Sequence, residues 1–194
     1  MNLRQLAASL AALSMSCPGA GAIDLPLPRI GPAPEFALTA QDGRAVSLAD
    51  LRGKVVVVDF IFTSCGDDCP VQTEKLASIQ SRLGADFASR VFFVSISVDP
   101  QHDTPKALSD YASRHRARLD GWAFLTGRPD EVRRVARRYG VVGLRADDGA
   151  VTHNALTSVI DGSGTLRVQY LGTRYEPREM LTDIRSLLRE RGVR

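Results

Sequence analysis

Two apolar runs of strand length, residues 55–62 and 91–98, are each followed at once by the signal of a helix start. This arrangement restricts the possible folds more than any other feature of the chain. In the first run Asp59 is the one charged side chain, and a run apolar at successive positions suits a strand covered on both faces. Pro70 then opens a segment in which Leu76, Ile79 and Leu83 recur at helical spacing. After the second run Asp103-Thr104 reads as a helix cap and Pro105 as the first helical residue. Strand, helix, strand, helix predicts an α/β fold built on parallel strands.

The remaining elements extend that plan. Residues 36–39 and 45–48 flank Asp42-Gly43 as an N-terminal β-hairpin, and residues 156–160 and 165–171 form a second hairpin across Asp161-Gly162-Ser163-Gly164. Helices are expected over residues 130–139, ended by Gly140, and 177–189, where Met180, Ile184 and Leu187-Leu188 face the core. The 25 basic and 22 acidic residues, a formal charge of +3, make a mixed surface and give nucleic-acid binding little support.

The N-terminus reads as an export signal. Residues 2–4 are positive, residues 6–15 are apolar, and Ala20-Gly21-Ala22 is a small-x-small cleavage pattern. About ten apolar residues are too few for the roughly 20 that span a bilayer, so residues 1–22 are expected to be removed and the chain to begin at Ile23. The alternative is lipid attachment at Cys17, although Ser14 stands where lipoprotein signals favour Leu. Residues 23–35 carry Pro26, Pro28, Gly31, Pro32 and Pro34 and read as an extended tether. A periplasmic or otherwise exported location follows, with membrane association if Cys17 is lipidated or the signal stays uncleaved.

Cleavage before Ile23 leaves Cys65 and Cys69 as the remaining cysteines of a chain long enough to need no disulfide or metal for its core. A close pair in an oxidising compartment suggests redox work or a metal. Both sit between the first buried strand and the helix of Pro70, where backbone N–H groups favour a thiolate, at Cys69 especially. One helical turn between them would bring their Cα atoms to about 6 Å, a spacing that permits either chelation or a disulfide. Three intervening residues separate them, so the two-residue thioredoxin redox motif is absent as written. Two thiolates make an incomplete site, and the chain has three histidines to complete it. His115 lies among arginines, His102 follows the second buried strand, and His153 stands where the loop with Asp147, Asp148 and Gly149 feeds a strand.

Residues 60–70, Phe-Ile-Phe-Thr-Ser-Cys-Gly-Asp-Asp-Cys-Pro, resemble the F-x-F-T-x-C-x-x-x-C-P signature of the Sco/SenC copper proteins. Residues 97–105 are similar to that family's S-V-D-P-x-x-D-T-P loop, Leu125-Thr126-Gly127 to its L-T-G, and His153 falls where its late histidine lies. The resemblance covers the chain from about Phe36 onward. It implies a thioredoxin-like fold over residues 36–194, a central mixed β-sheet flanked by helices with the N-terminal hairpin as an extension. It also implies copper binding, as Cu(I) or Cu(II), through Cys65, Cys69 and His153; the chain is expected to be a monomer. The implied role is to deliver copper to, or maintain the thiols of, the dinuclear copper site of cytochrome c oxidase or another copper protein. The runner-up is a thiol-disulfide reductase in which Cys65 and Cys69 reduce target cysteines and His153 tunes their ionisation. The chain departs from the family at Gly66, in place of a common Pro, and at Thr152-His153-Asn154.

Overall fold

The computed structural model describes residues 26–142 and 153–192. The expected signal of residues 1–22, Cys17, and the loop with Asp147, Asp148 and Gly149 lie outside the described residues. In chain order the strands are β1 Gly31–Pro32, β2 Ala37–Ala40, β3 Ala45–Ser47, β4 Val55–Ile61, β5 Val91–Ser97, β6 Trp122–Thr126, β7 Leu156–Ile160 and β8 Thr165–Leu171. The helices are α1 Asp68–Leu83, α2 Pro105–Arg114, α3 Pro129–Tyr139 and α4 Pro177–Gly192.

One sheet runs in the order β1-β8-β7-β4-β5-β6-β2-β3. β4, β5 and β6 are parallel, as crossovers through α1 and α2 require, while β7 pairs antiparallel with β4 and makes the sheet mixed. Alternation along β4 divides the core. Val56, Val58 and Phe60 join α3 and the β2–β3 hairpin on one face; Val55, Val57 and Ile61 join α1, α2 and α4 on the other. β6 is a strand that the sequence reading did not pick out. All five of its residues are buried, and it carries the N-terminal hairpin through the pairing of Thr39 with Thr126.

The Pro- and Gly-rich stretch is extended, as its composition implies, but it is docked along the sheet. β1 pairs with β8, and the buried Arg167 guanidinium holds the carbonyls of Leu27 and Pro28 while meeting Asp161 and Glu190, each at 2.9 Å. α3 ends as expected, with Gly140 at φ 97 closing onto Arg137 and Ala136. Among the described residues no helix is long and apolar enough to cross a membrane.

Candidate metal centre

The site forms where the C-terminal end of β4 meets the start of β7. After Ile61 the chain leaves the sheet, turns with Cys65 N–H donating to the Phe62 carbonyl, and enters α1 at Asp68. Two expectations are corrected here. α1 starts two residues before Pro70, which the first turn tolerates because its N–H groups lack intrahelical partners anyway. Residues 62–67 are irregular, so no helical turn links the cysteines.

Asp103 holds this loop in place. It was expected as part of a helix cap, but it is 1% exposed and points the other way. Its carboxylate accepts from Thr63 N–H at 3.1 Å, Thr63 Oγ1 at 2.6 Å and Ser97 Oγ at 2.5 Å. Thr104 alone caps α2, accepting from Ala107 N–H at 3.2 Å. A buried carboxylate with three donors thus ties the β5–α2 loop to a residue two positions before Cys65.

His153 arrives from the opposite side. Because β7 runs antiparallel beside β4, with Thr157 opposite Asp59, the residues just before β7 lie beside those just after β4. The His153 ring packs edge-on to Phe62, and its Nε2 stands 3.8 Å from Cys69 Sγ. Nδ1 is 3.1 Å from the Asn154 carbonyl, which accepts but cannot donate. The proton therefore sits on Nδ1, and the Nε2 lone pair faces the sulfur. Burial, opposed by the Asn154 bond and the Asp68 charge, lowers the proton affinity of the ring. A neutral imidazole oriented by a backbone carbonyl is the form in which histidine ligates metals.

The two sulfurs differ. Cys65 is half-exposed and Cys69 is 3% exposed, and both are free thiols. Burial pushes the Cys69 thiol well above its ordinary range, against a backbone bond at Phe62, and Cys65 and Asp59 add to the rise. The expectation that the helix start makes Cys69 a ready thiolate is thereby corrected: desolvation outweighs the few exposed N–H groups. A cation at this point would reverse the balance. A cavity of about 170 Å3 lies here, lined by both cysteines, His153, Asp67, Asp68 and Gln72 among others. Among the described residues no three His, Cys, Asp or Glu side chains already stand as a closed metal cluster. His102 is on the β5–α2 loop, 70% exposed at its side chain and 2.8 Å from Asp99, and His115 packs at a tilt against Tyr111; neither lines the cavity.

Beneath the cavity is a polar group of which the sequence showed only half. Asp59, 0% exposed in mid-strand, accepts from Ser95 Oγ at 2.6 Å and from Gln72 Nε2 at 3.3 Å, and Trp122 Nε1 donates to Ser95 Oγ at 2.9 Å. Burial pushes the Asp59 carboxyl up to about 6. As the single charge in the first apolar run, Asp59 was visible in the sequence; nothing there distinguished Gln72.

The SCO1/SenC family model matches residues 29–189. The chain belongs to the SCO1/SenC family. The SCO1 protein homolog of Bacillus subtilis is 32% identical over 155 residues, 78% of this chain and 80% of its own length. The structure of BsSco that identified a disulfide switch in this member of the Sco family of cytochrome c oxidase assembly proteins has a TM-score of 0.73. It is 28% identical, covering 84% of this chain and 98% of that one. Copper-bound ScoI of Arabidopsis thaliana has a TM-score of 0.70 at 28% identity, over 83% of this chain and 99% of its own. This Sco/SenC protein has the thioredoxin-like fold of its structural relatives, and its β2–β3 hairpin lies on the β6 edge.

Proposed function

We propose that this Sco/SenC protein is an exported metallochaperone. It takes up one copper ion through Cys65, Cys69 and His153 and passes it to, or keeps reduced the cysteines of, the dinuclear copper site of cytochrome c oxidase. The observation that carries the reading is the 3.8 Å approach of His153 Nε2, its lone pair unprotonated, to Cys69 Sγ. The donor set fits copper. Two soft sulfurs favour Cu(I), an imidazole nitrogen suits both oxidation states, and the buried Gln72 Oε1, which has no hydrogen-bond partner, leaves room in the electrostatics for a cation. Since Cys69 holds its proton when no cation is near, uptake would release protons and strengthen as pH rises. Relatives that bind copper and assemble cytochrome c oxidase support the reading.

Anaerobic titration of the reduced protein with Cu(I) and then Cu(II) tests it. One equivalent of each should bind, and His153→Ala should abolish the Cu(II) sulfur-to-metal absorption while weakening Cu(I) less. A His153→Ala spectrum identical to wild type would remove His153 from the site and make His102 the next candidate. The adjacency of two free thiols also favours thiol-disulfide exchange as a second reading. In that case His153→Ala should change exchange rates modestly and leave no metal phenotype.

A further inference from the structure

The orphaned atom under the cavity has a chemical meaning. Gln72 is 1% exposed and lies one helical turn beyond Cys69 on α1, lining the same cavity as both cysteines and His153. Its Nε2 donates to Asp59 Oδ2, while its Oε1 is buried with no hydrogen-bond partner. Turning the amide over would not relieve this where Asp59 is ionised, because Oε1 would then face a carboxylate oxygen, acceptor against acceptor. Asp59 is itself held by Ser95, which Trp122 holds in turn. The amide is therefore held with its oxygen unused, at the usual cost of a buried acceptor left unpaired. Among the unpaired buried polar groups of the described residues, only Gln72 belongs to a residue lining this cavity, which can supply a partner.

On the reading that Cys65, Cys69 and His153 hold copper, we propose that the Gln72 amide oxygen is the fourth donor to the oxidised ion. Cu(II) prefers a tetragonal set that includes harder nitrogen and oxygen donors, and two sulfurs with one nitrogen leave it a position short. Cu(I) is satisfied by the soft donors and needs no oxygen. Gln72 is thus a selectivity element between the two states, favouring the oxidised one. No charged carboxylate is required, since Asp59 stays behind the amide and orients it.

The test uses the full chain carrying Gln72→Leu and, separately, Gln72→Met, a substitution of similar length that lacks the oxygen. Each is loaded with Cu(I) or Cu(II), and thermal unfolding of the metal-free forms shows that both fold. Electron paramagnetic resonance of the Cu(II) forms in ordinary and 17O-enriched water is the deciding readout. Wild type should show no 17O broadening. The variants should show it, as water enters the vacated position, together with a shifted copper hyperfine splitting. Cu(II) affinity should fall about tenfold or more, while Cu(I) affinity stays within about twofold. Hyperfine splitting unchanged in both variants, or 17O broadening already present in wild type, overturns the assignment of Gln72 and leaves the three-ligand reading intact. Failure of the wild-type protein to take up copper overturns both.

Discussion

Replacing Asp59 by Asn should remove a contribution to this protein's stability that falls as pH rises. The native carboxyl, pushed up to about 6 by burial, stands about two pH units above its ordinary value of 3.8. At about 1.4 kcal/mol per unit, the folded state carries a cost of about 3 kcal/mol once the group is ionised. Between about pH 4 and about pH 6 the folded chain binds the Asp59 proton and the unfolded chain does not, so this contribution to stability falls as pH rises through that window. The side chains facing Asp59 do not obscure it. Cys69, Tyr111 and Tyr175 are all pushed up by burial and stay neutral there, while Ser95, Gln72 and Trp122 do not titrate. In the variant, Asn Oδ1 can still accept from Ser95, and its Nδ2 can donate to Gln72 Oε1 once that amide turns over. Urea unfolding of the reduced, metal-free proteins, followed by far-ultraviolet circular dichroism in half-unit steps of pH, measures the difference directly. Stability of Asp59→Asn relative to wild type should rise by about 3 kcal/mol from about pH 4 to about pH 7.5. In a domain of this size that is a relative gain of about 6–12 °C in Tm at the upper end. Titrating groups common to both proteins, His153 included, cancel in the comparison. A difference constant across the range to within about 0.5 kcal/mol, or one that falls with pH, refutes the burial argument.

Asp103→Ala should strand the Thr63 N–H and the Thr63 and Ser97 hydroxyls, costing about 3 kcal/mol in thermal or urea unfolding. It should also weaken copper uptake by loosening the Cys65 loop, with Asp103→Asn intermediate; full uptake in the Ala variant would show that the clamp does not position Cys65. Cys65→Ser and Cys69→Ser should each abolish stable copper binding while leaving the fold largely intact, and stable binding in either would refute the two-thiolate site. Mass spectrometry of the processed protein should find Ile23 at the N-terminus; a lipidated Cys17 would place the domain on a membrane surface instead.

The secondary structure was legible because its signals are local. The apolar run that became Val55–Ile61, Thr104 before Pro105, and Gly140 after α3 each report a preference set by near neighbours in the chain. The cysteine pair and His153 were legible as residue types able to ligate copper, and the family motifs placed them in one domain. β6 was not legible because its five residues lack the flanking hairpin turn that marks the equally short β7, and with it went the attachment of the N-terminal hairpin.

The sequence by itself thus determined most of the helices and strands, β1, β6 and the start of α1 excepted, and which side chains are capable of the chemistry. The tertiary structure alone decided what those side chains face. The pairing of β7 with β4 brings His153 to Cys69 across 84 residues of chain, and the Asn154 carbonyl chooses the tautomer that turns a lone pair toward the sulfur. Asp103 changed from a cap to a clamp, and Gln72 from an ordinary helix residue to an unpaired oxygen beneath the cavity. Periodicity and capping are short-range properties of the backbone, whereas ionisation, hydrogen-bond partnership and ligation depend on burial and on atoms distant in the chain, which exist for a side chain only after the sheet has closed around it.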